Sequence, residues 1–230
     1  GSNSPLAALL SATNSETGAF QADFGMGPFD DFFSTVQALP AAVGKAYPLP
    51  ARLIAAKLGA SCIANLRDNG GGWEQFAGAG VNAGGTARAI EAIVAVGGDP
   101  YSNSFLPNAN VAGLPVPISA LQTLTPAYLD GSRGGRVGVV MQAVALAGPP
   151  ADVTNFAGGN LTISMTNYLS PTGQYDTTAY PHSEAMLGLL QAGLEPNPTA
   201  TAWLLEAETD GSWGFTDVDG LAINVLGRLG

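Results

Sequence analysis

The chain has 230 residues, 46% of them hydrophobic and only 11% charged, and its 8 basic and 18 acidic side chains give a formal charge of −10. That length buries a sizeable core as one large or two small domains. The acid excess and the scattering of the basic residues exclude partners held through phosphates, nucleic acid among them, and no apolar run reaches the roughly 20 residues of a membrane-spanning helix.

The opening "GSNSPL" reads as a flexible lead without a visible signal peptide, compatible with a native export signal having been removed. Cys62 is the single cysteine, which rules out an intrachain disulfide; its helical spacing from Leu58 and Leu66 reads as a buried structural thiol. Low charge and few lysines suit an extracellular or cell-surface bacterial protein.

In chain order, the helix candidates come in pairs. "PLAALLSATN" precedes "VQALPAAVG", "ARLIAAKLGASCIANLRDN" precedes "AIEAIVAVG", and "PISALQTLTPAYLD" precedes "MQAVALAG". "LTISMTNYLS" then precedes "AMLGLLQAG", and "TATAWLLEAETD" precedes "AINVLGRLG". The second helix of each pair closes at a glycine (Gly44, Gly97, Gly148, Gly193 and Gly230), where a left-handed backbone caps a helix C-terminus. Pro48, Pro100, Pro149 and Pro196 follow four of these stops and cannot prolong the helix.

Between the two helices of a pair lies a Gly-x-aromatic turn: Gly18-Ala19-Phe20, Gly71-Gly72-Trp73, Gly173-Gln174-Tyr175 and Gly211-Ser212-Trp213. The third unit, "DGSRGGRVG", has lost the ring. The repeat units span about 5–49, 50–100, 117–150, 159–197 and 198–230, and together they predict a single all-α domain over 1–230. One helix pair cannot bury its apolar face alone; stacking the pairs supplies the core.

In "ANLRDNGGGWEQFAGAGVNAGGTARAIEAIVAVGGDP" and "AWLLEAETDGSWGFTDVDGLAINVLGRLG" the chain resembles the prenyltransferase and squalene-cyclase repeat family, whose α/α toroids carry a QW motif. The resemblance runs through nearly the whole chain and implies an α/α toroid-like array of about five helical hairpins. Family members commonly have six or more pairs, so five imply a small or open ring, or one completed by a flanking segment. The Gln of the motif is replaced by Glu208 in the last unit and Arg67 in the second. The family includes terpenoid cyclases, protein prenyltransferase subunits, thioester domains, cobalamin carriers and bacterial surface proteins, and fold alone does not choose among them.

Class II terpene cyclases protonate an alkene from a D-x-D-D segment, to which Asp217-Val218-Asp219-Gly220 bears a partial likeness without the last acid. Asp217 and Asp219 are therefore catalytic candidates whose competing role is to cap a helix N-terminus. Cys62 and the single histidine, His182, stand in different units and form no zinc set. His182 is expected to be exposed or associated with a helix cap. No thioester sequence, nucleophile elbow or phosphate loop is present. Trp73, Tyr175, Trp213 and Phe215 sit at the turns, where rings either stack on a hydrophobic or sugar-like ligand or anchor the turn. The expected function is a non-catalytic module that binds a ligand or cell-surface partner through its end loops or central cavity, with no cofactor and no metal. The alternatives are a terpene cyclase-like enzyme and a carrier of a bulky cofactor such as cobalamin.

Overall fold

The computed structural model describes residues 13–22, 28–30, 59, 61–68, 70–103 and 113–230. The expected helix "VQALPAAVG" and most of "PLAALLSATN" lie outside these residues. What is described is mostly helical, and the chain divides into two compact units, 1–121 and 122–230.

In the first unit, β1 (Gln21–Ala22) and β2 (Phe29–Asp30) form a short antiparallel ladder beside the first glycine-aromatic turn. Phe20 is buried there, and Asp30 accepts hydrogen bonds from Thr17, Asn14 and Gln21. Desolvation pushes the Asp30 pKa up, but those bonds outweigh it and hold the carboxyl below its usual range. Helical residues 61–65 then lead to a second hairpin, β3 (Trp73–Glu74) against β4 (Val81–Asn82), where the sequence pattern gives only a turn. The excursion is built locally: both Glu74 carboxylate oxygens accept backbone N–H groups, from Gly78 at 2.8 Å and Gly80 at 3.2 Å. Asn82 ends the hairpin and caps α1 (Ala83–Ala95), its side chain accepting from the Gly85 N–H.

Helix α2 (Pro117–Leu129) contains the boundary between the units. The second unit continues with α3 (Gly134–Ala147), α4 (Leu161–Tyr168), α5 (Ala179–Gln191), α6 (Pro198–Glu206) and α7 (Thr216–Leu229). Each falls on a sequence-predicted helix, and Gly97, Gly148, Gly193 and Gly230 all have positive φ, as the capping argument requires.

Within this unit α5 packs against both α3 and α7, while α4 lies on α3 and α6 on α5. Helices α3 and α5 run in the same direction, since Gly135 meets Pro181 and Gly138 meets Glu184 and Ala185 one turn later. Their approach is too close for side chains: a methyl group on Gly138 would stand 2.2 Å from the Glu184 carbonyl oxygen, and one on Gly188 would stand 2.6 Å from the Gly138 Cα. Near the ends of α5 and α7, Arg228 donates to the Gln191 side chain at 3.1 Å. Val140, Met141, Val144, Met165, Met186, Leu204 and Val225 fill the core of this unit, and Cys62 is buried in the first.

Candidate functional site

Three of the glycine-aromatic turns, those of the second, fourth and fifth repeats, are tied down in a comparable way. In the second repeat, Trp73 is fully buried; its indole N–H donates to the Ile63 carbonyl at 2.7 Å and its backbone N–H to the Thr86 hydroxyl at 3.1 Å. In the fifth, the Trp213 indole donates to the Leu204 carbonyl and its backbone N–H to the Asp219 carboxylate, both at 2.6 Å. Each indole thus closes the turn onto the preceding helix, and each backbone N–H closes it onto the following one. The Arg67 guanidinium donates to the carbonyls of Gly71 and Pro115 and to Asn103 while lying 5.0 Å from the Trp73 ring centroid. Glu208 accepts from the Gly211 N–H.

The fourth repeat substitutes tyrosine and histidine for these partners. Tyr175 is buried, its hydroxyl accepting the Asn197 N–H at 3.2 Å, and its backbone N–H donates to His182 Nδ1 at 3.1 Å. His182 Nε2 lies 3.1 Å from the Ala200 carbonyl, which assigns the proton to Nε2 and leaves Nδ1 as acceptor. The ring packs edge-on against Trp203 and stacks with Tyr175. Contrary to the expectation of an exposed or cap-associated histidine, His182 has 0% exposure. Desolvation lowers its pKa, against the opposing effects of the Ala200 bond and the Asp176 charge. With both nitrogens bound to main chain it has no free lone pair for base chemistry.

The candidate acids separate. Asp217 is exposed, and its carboxylate accepts from the adjacent Val218 N–H. Asp219 is half-buried and accepts from the Trp213 N–H and the Ser212 hydroxyl, so it secures the turn, not the helix N-terminus. The N-cap position of α7 is Phe215, which makes no side-chain cap. Of the four ring candidates, Trp73 and Tyr175 are buried anchors, Trp213 is half-buried, and Phe215 stands 80% exposed.

Residues that the sequence did not single out line a polar cleft of 320 Å³ between the 131–133 turn and the 167–177 segment: Ser132, Arg133, Asn167, Tyr168, Gln174 and Asp176. The signal for it was the missing ring. Gly131-Ser132-Arg133 parallels Gly211-Ser212-Trp213, but the helix position that carries Asp219 in the last repeat carries Val137 in the third. Ser212 gives its hydroxyl to Asp219, whereas the Ser132 hydroxyl is buried with no partner. Two further clefts, of 430 and 410 Å³, lie beside Met165, Leu169 and Leu194 and beside Pro149, Pro150 and Gln191. Neither Asp217 nor Asp219 lines any of the three.

Among the described residues no group of three or more His, Cys, Asp or Glu side chains is placed to hold a metal ion, and no helix is long and apolar enough to cross a membrane. No protein-family model matches the chain, and no curated protein matches it.

Proposed function

We propose that the chain is a non-catalytic module of α/α toroid-like architecture, extracellular or on the cell surface, that binds a ligand through the turns joining its helix pairs. The supporting observation is the way the Asp219 carboxylate is used. A cyclase acid needs a carboxyl group free to meet an alkene in an apolar, aromatic-walled pocket. Asp219 instead spends its oxygens on the Trp213 N–H and the Ser212 hydroxyl, and Asp217 faces solvent. His182 and the buried rings are likewise committed to holding turns. Low charge content favours a position outside the cell.

Native mass spectrometry of the protein with polyprenyl diphosphates, corrinoids and saccharides tests the proposal. A ligand retained unchanged supports a binding module. A polyprenyl substrate returned as a cyclised product overturns it and restores Asp217 and Asp219 as catalytic candidates.

A further inference from the structure

The third repeat is the one whose turn has lost its anchoring machinery, and the polar cleft opens beside it. In the second, fourth and fifth repeats, the ring at the third turn position is Trp73, Tyr175 or Trp213; in the third repeat that position is Arg133, which is exposed and, among the described residues, has no hydrogen-bond or ion-pair partner. Val137 cannot accept a hydrogen bond where Thr86, His182 and Asp219 do. A buried hydroxyl left without a partner is destabilising, and the Ser132 hydroxyl, enclosed behind the lining of the cleft, is such a group among the described residues.

The other walls are supplied with both donors and acceptors. The Gln174 side chain uses its oxygen to accept from Thr172 and leaves its amide N–H groups without partners. Among the described residues Asn167 and the Tyr168 hydroxyl have no partner either, and the Asp176 carboxylate, which accepts from Gly135 and Thr177, retains lone pairs. One cation and one anion balance each other, so the cleft selects neither a polyanion nor a free cation. A volume of 320 Å³ is at the small end of ligand sites, which run roughly from 300 to 1,000 Å³.

Building on the ligand-binding reading above, we infer that this cleft is a saccharide site, taking the vicinal hydroxyls of a pyranose ring. Each sugar hydroxyl both donates and accepts, which matches the mixture of Arg133, Gln174 and Asp176 better than an apolar ligand would. Half-buried Tyr168 offers a ring beside them.

The test is chemical-shift mapping and calorimetric titration of the whole chain with glucose, galactose, mannose and N-acetylglucosamine, and with β-linked oligomers ending in each. Saturable binding is expected, with shifts confined to 131–133 and 167–177. Response to the monosaccharides assigns a free sugar, and response to the oligomers alone assigns a glycan terminus. Arg133→Ala and Gln174→Ala should each weaken binding about tenfold, as the loss of a charged or well-placed hydrogen bond does. The inference is overturned by an absence of saturable binding to every sugar, by shifts centred on another cleft, or by affinity indifferent to Arg133→Ala. In each of those cases a non-saccharide ligand retained in the mass spectrum leaves the module reading standing, whereas a cyclised polyprenyl product overturns that reading independently.

Discussion

The backbone N–H of Tyr175 donates to Nδ1 of His182, and this bond is the histidine version of one made by Trp73 to Thr86 and by Trp213 to Asp219. In all three repeats the acceptor is the fourth residue of the helix that follows the turn. A hydroxyl, an imidazole and a carboxylate serve the same donor, so the position requires an acceptor and leaves its chemical type open. A backbone N–H at this position that failed to find one would be an unsatisfied group beside the core.

Acid should reveal the imidazole version. Burial lowers the His182 pKa in the folded chain, so the unfolded state takes up the proton first, and the stability of the neutral form is complete above the unfolded value of about 6.5. As pH falls from there toward the lower folded value, stability should drop, because a protonated Nδ1 confronts the Tyr175 N–H. Denaturant midpoints measured between pH 8 and pH 5 should decline for the native chain and lie flatter for His182→Gln, which removes the only histidine. Equal slopes for the two proteins would refute the assignment.

The carboxylate version makes Asp219 and Asp217 unequal. Asp219→Ala strips the acceptor from both the Trp213 N–H and the Ser212 hydroxyl and should cost about 1–3 kcal/mol. Asp217→Ala removes an exposed first-turn acid whose favourable interaction with the helix dipole is about 0.3–1 kcal/mol. Urea unfolding of the two variants ranks them, and a larger loss at Asp217 would contradict the role given to Asp219.

The indole bonds can be probed while the ring is kept. Trp73→Phe leaves the Ile63 carbonyl without its donor in a fully buried site, for an expected loss of about 1–3 kcal/mol plus the penalty of the smaller ring. Trp213→Phe breaks the matching bond to Leu204 at a half-buried ring, where water replaces the donor, so its loss should be smaller. Thermal unfolding of both compares them directly, and an equal or inverted order would contradict the greater weight given to the fully buried bond of Trp73.

From α1 onward the helices were legible because their boundaries are written locally: a glycine with positive φ and a nearby proline stop a helix whatever it packs against. Gly97, Gly148 and Gly193 marked their stops this way. The burial of His182 was not legible, because it depends on Ala200 and Trp203 arriving from the next repeat. Arg67 and Glu208 stood out in the sequence beside their turns, yet the Arg67 bonds to Asn103 and Pro115 are tertiary facts that no local pattern announces. The polar cleft shows the same limit: the missing ring of "DGSRGGRVG" was plain, whereas the unpartnered Ser132 hydroxyl became visible only once Val137 and the 167–177 segment were placed around it.

Glycines of α3, α5 and α7 offer a test with opposite signs. At Gly138 and Gly188 the helix backbones meet so closely that a methyl group would overlap main-chain atoms, so Ala at either position should force α3 and α5 apart and cost about 1–3 kcal/mol or more. Gly220 and Gly227 lie within α7 with no neighbouring atom within 4 Å of an added Cβ, and there the same change only restricts the unfolded chain and improves helix propensity. Gly220→Ala and Gly227→Ala should therefore each stabilise by about 0.5–1 kcal/mol. Chemical denaturation of the four variants separates the pairs by sign; destabilisation at both Gly220 and Gly227 would mean that the exposed face of α7 is closely covered in solution.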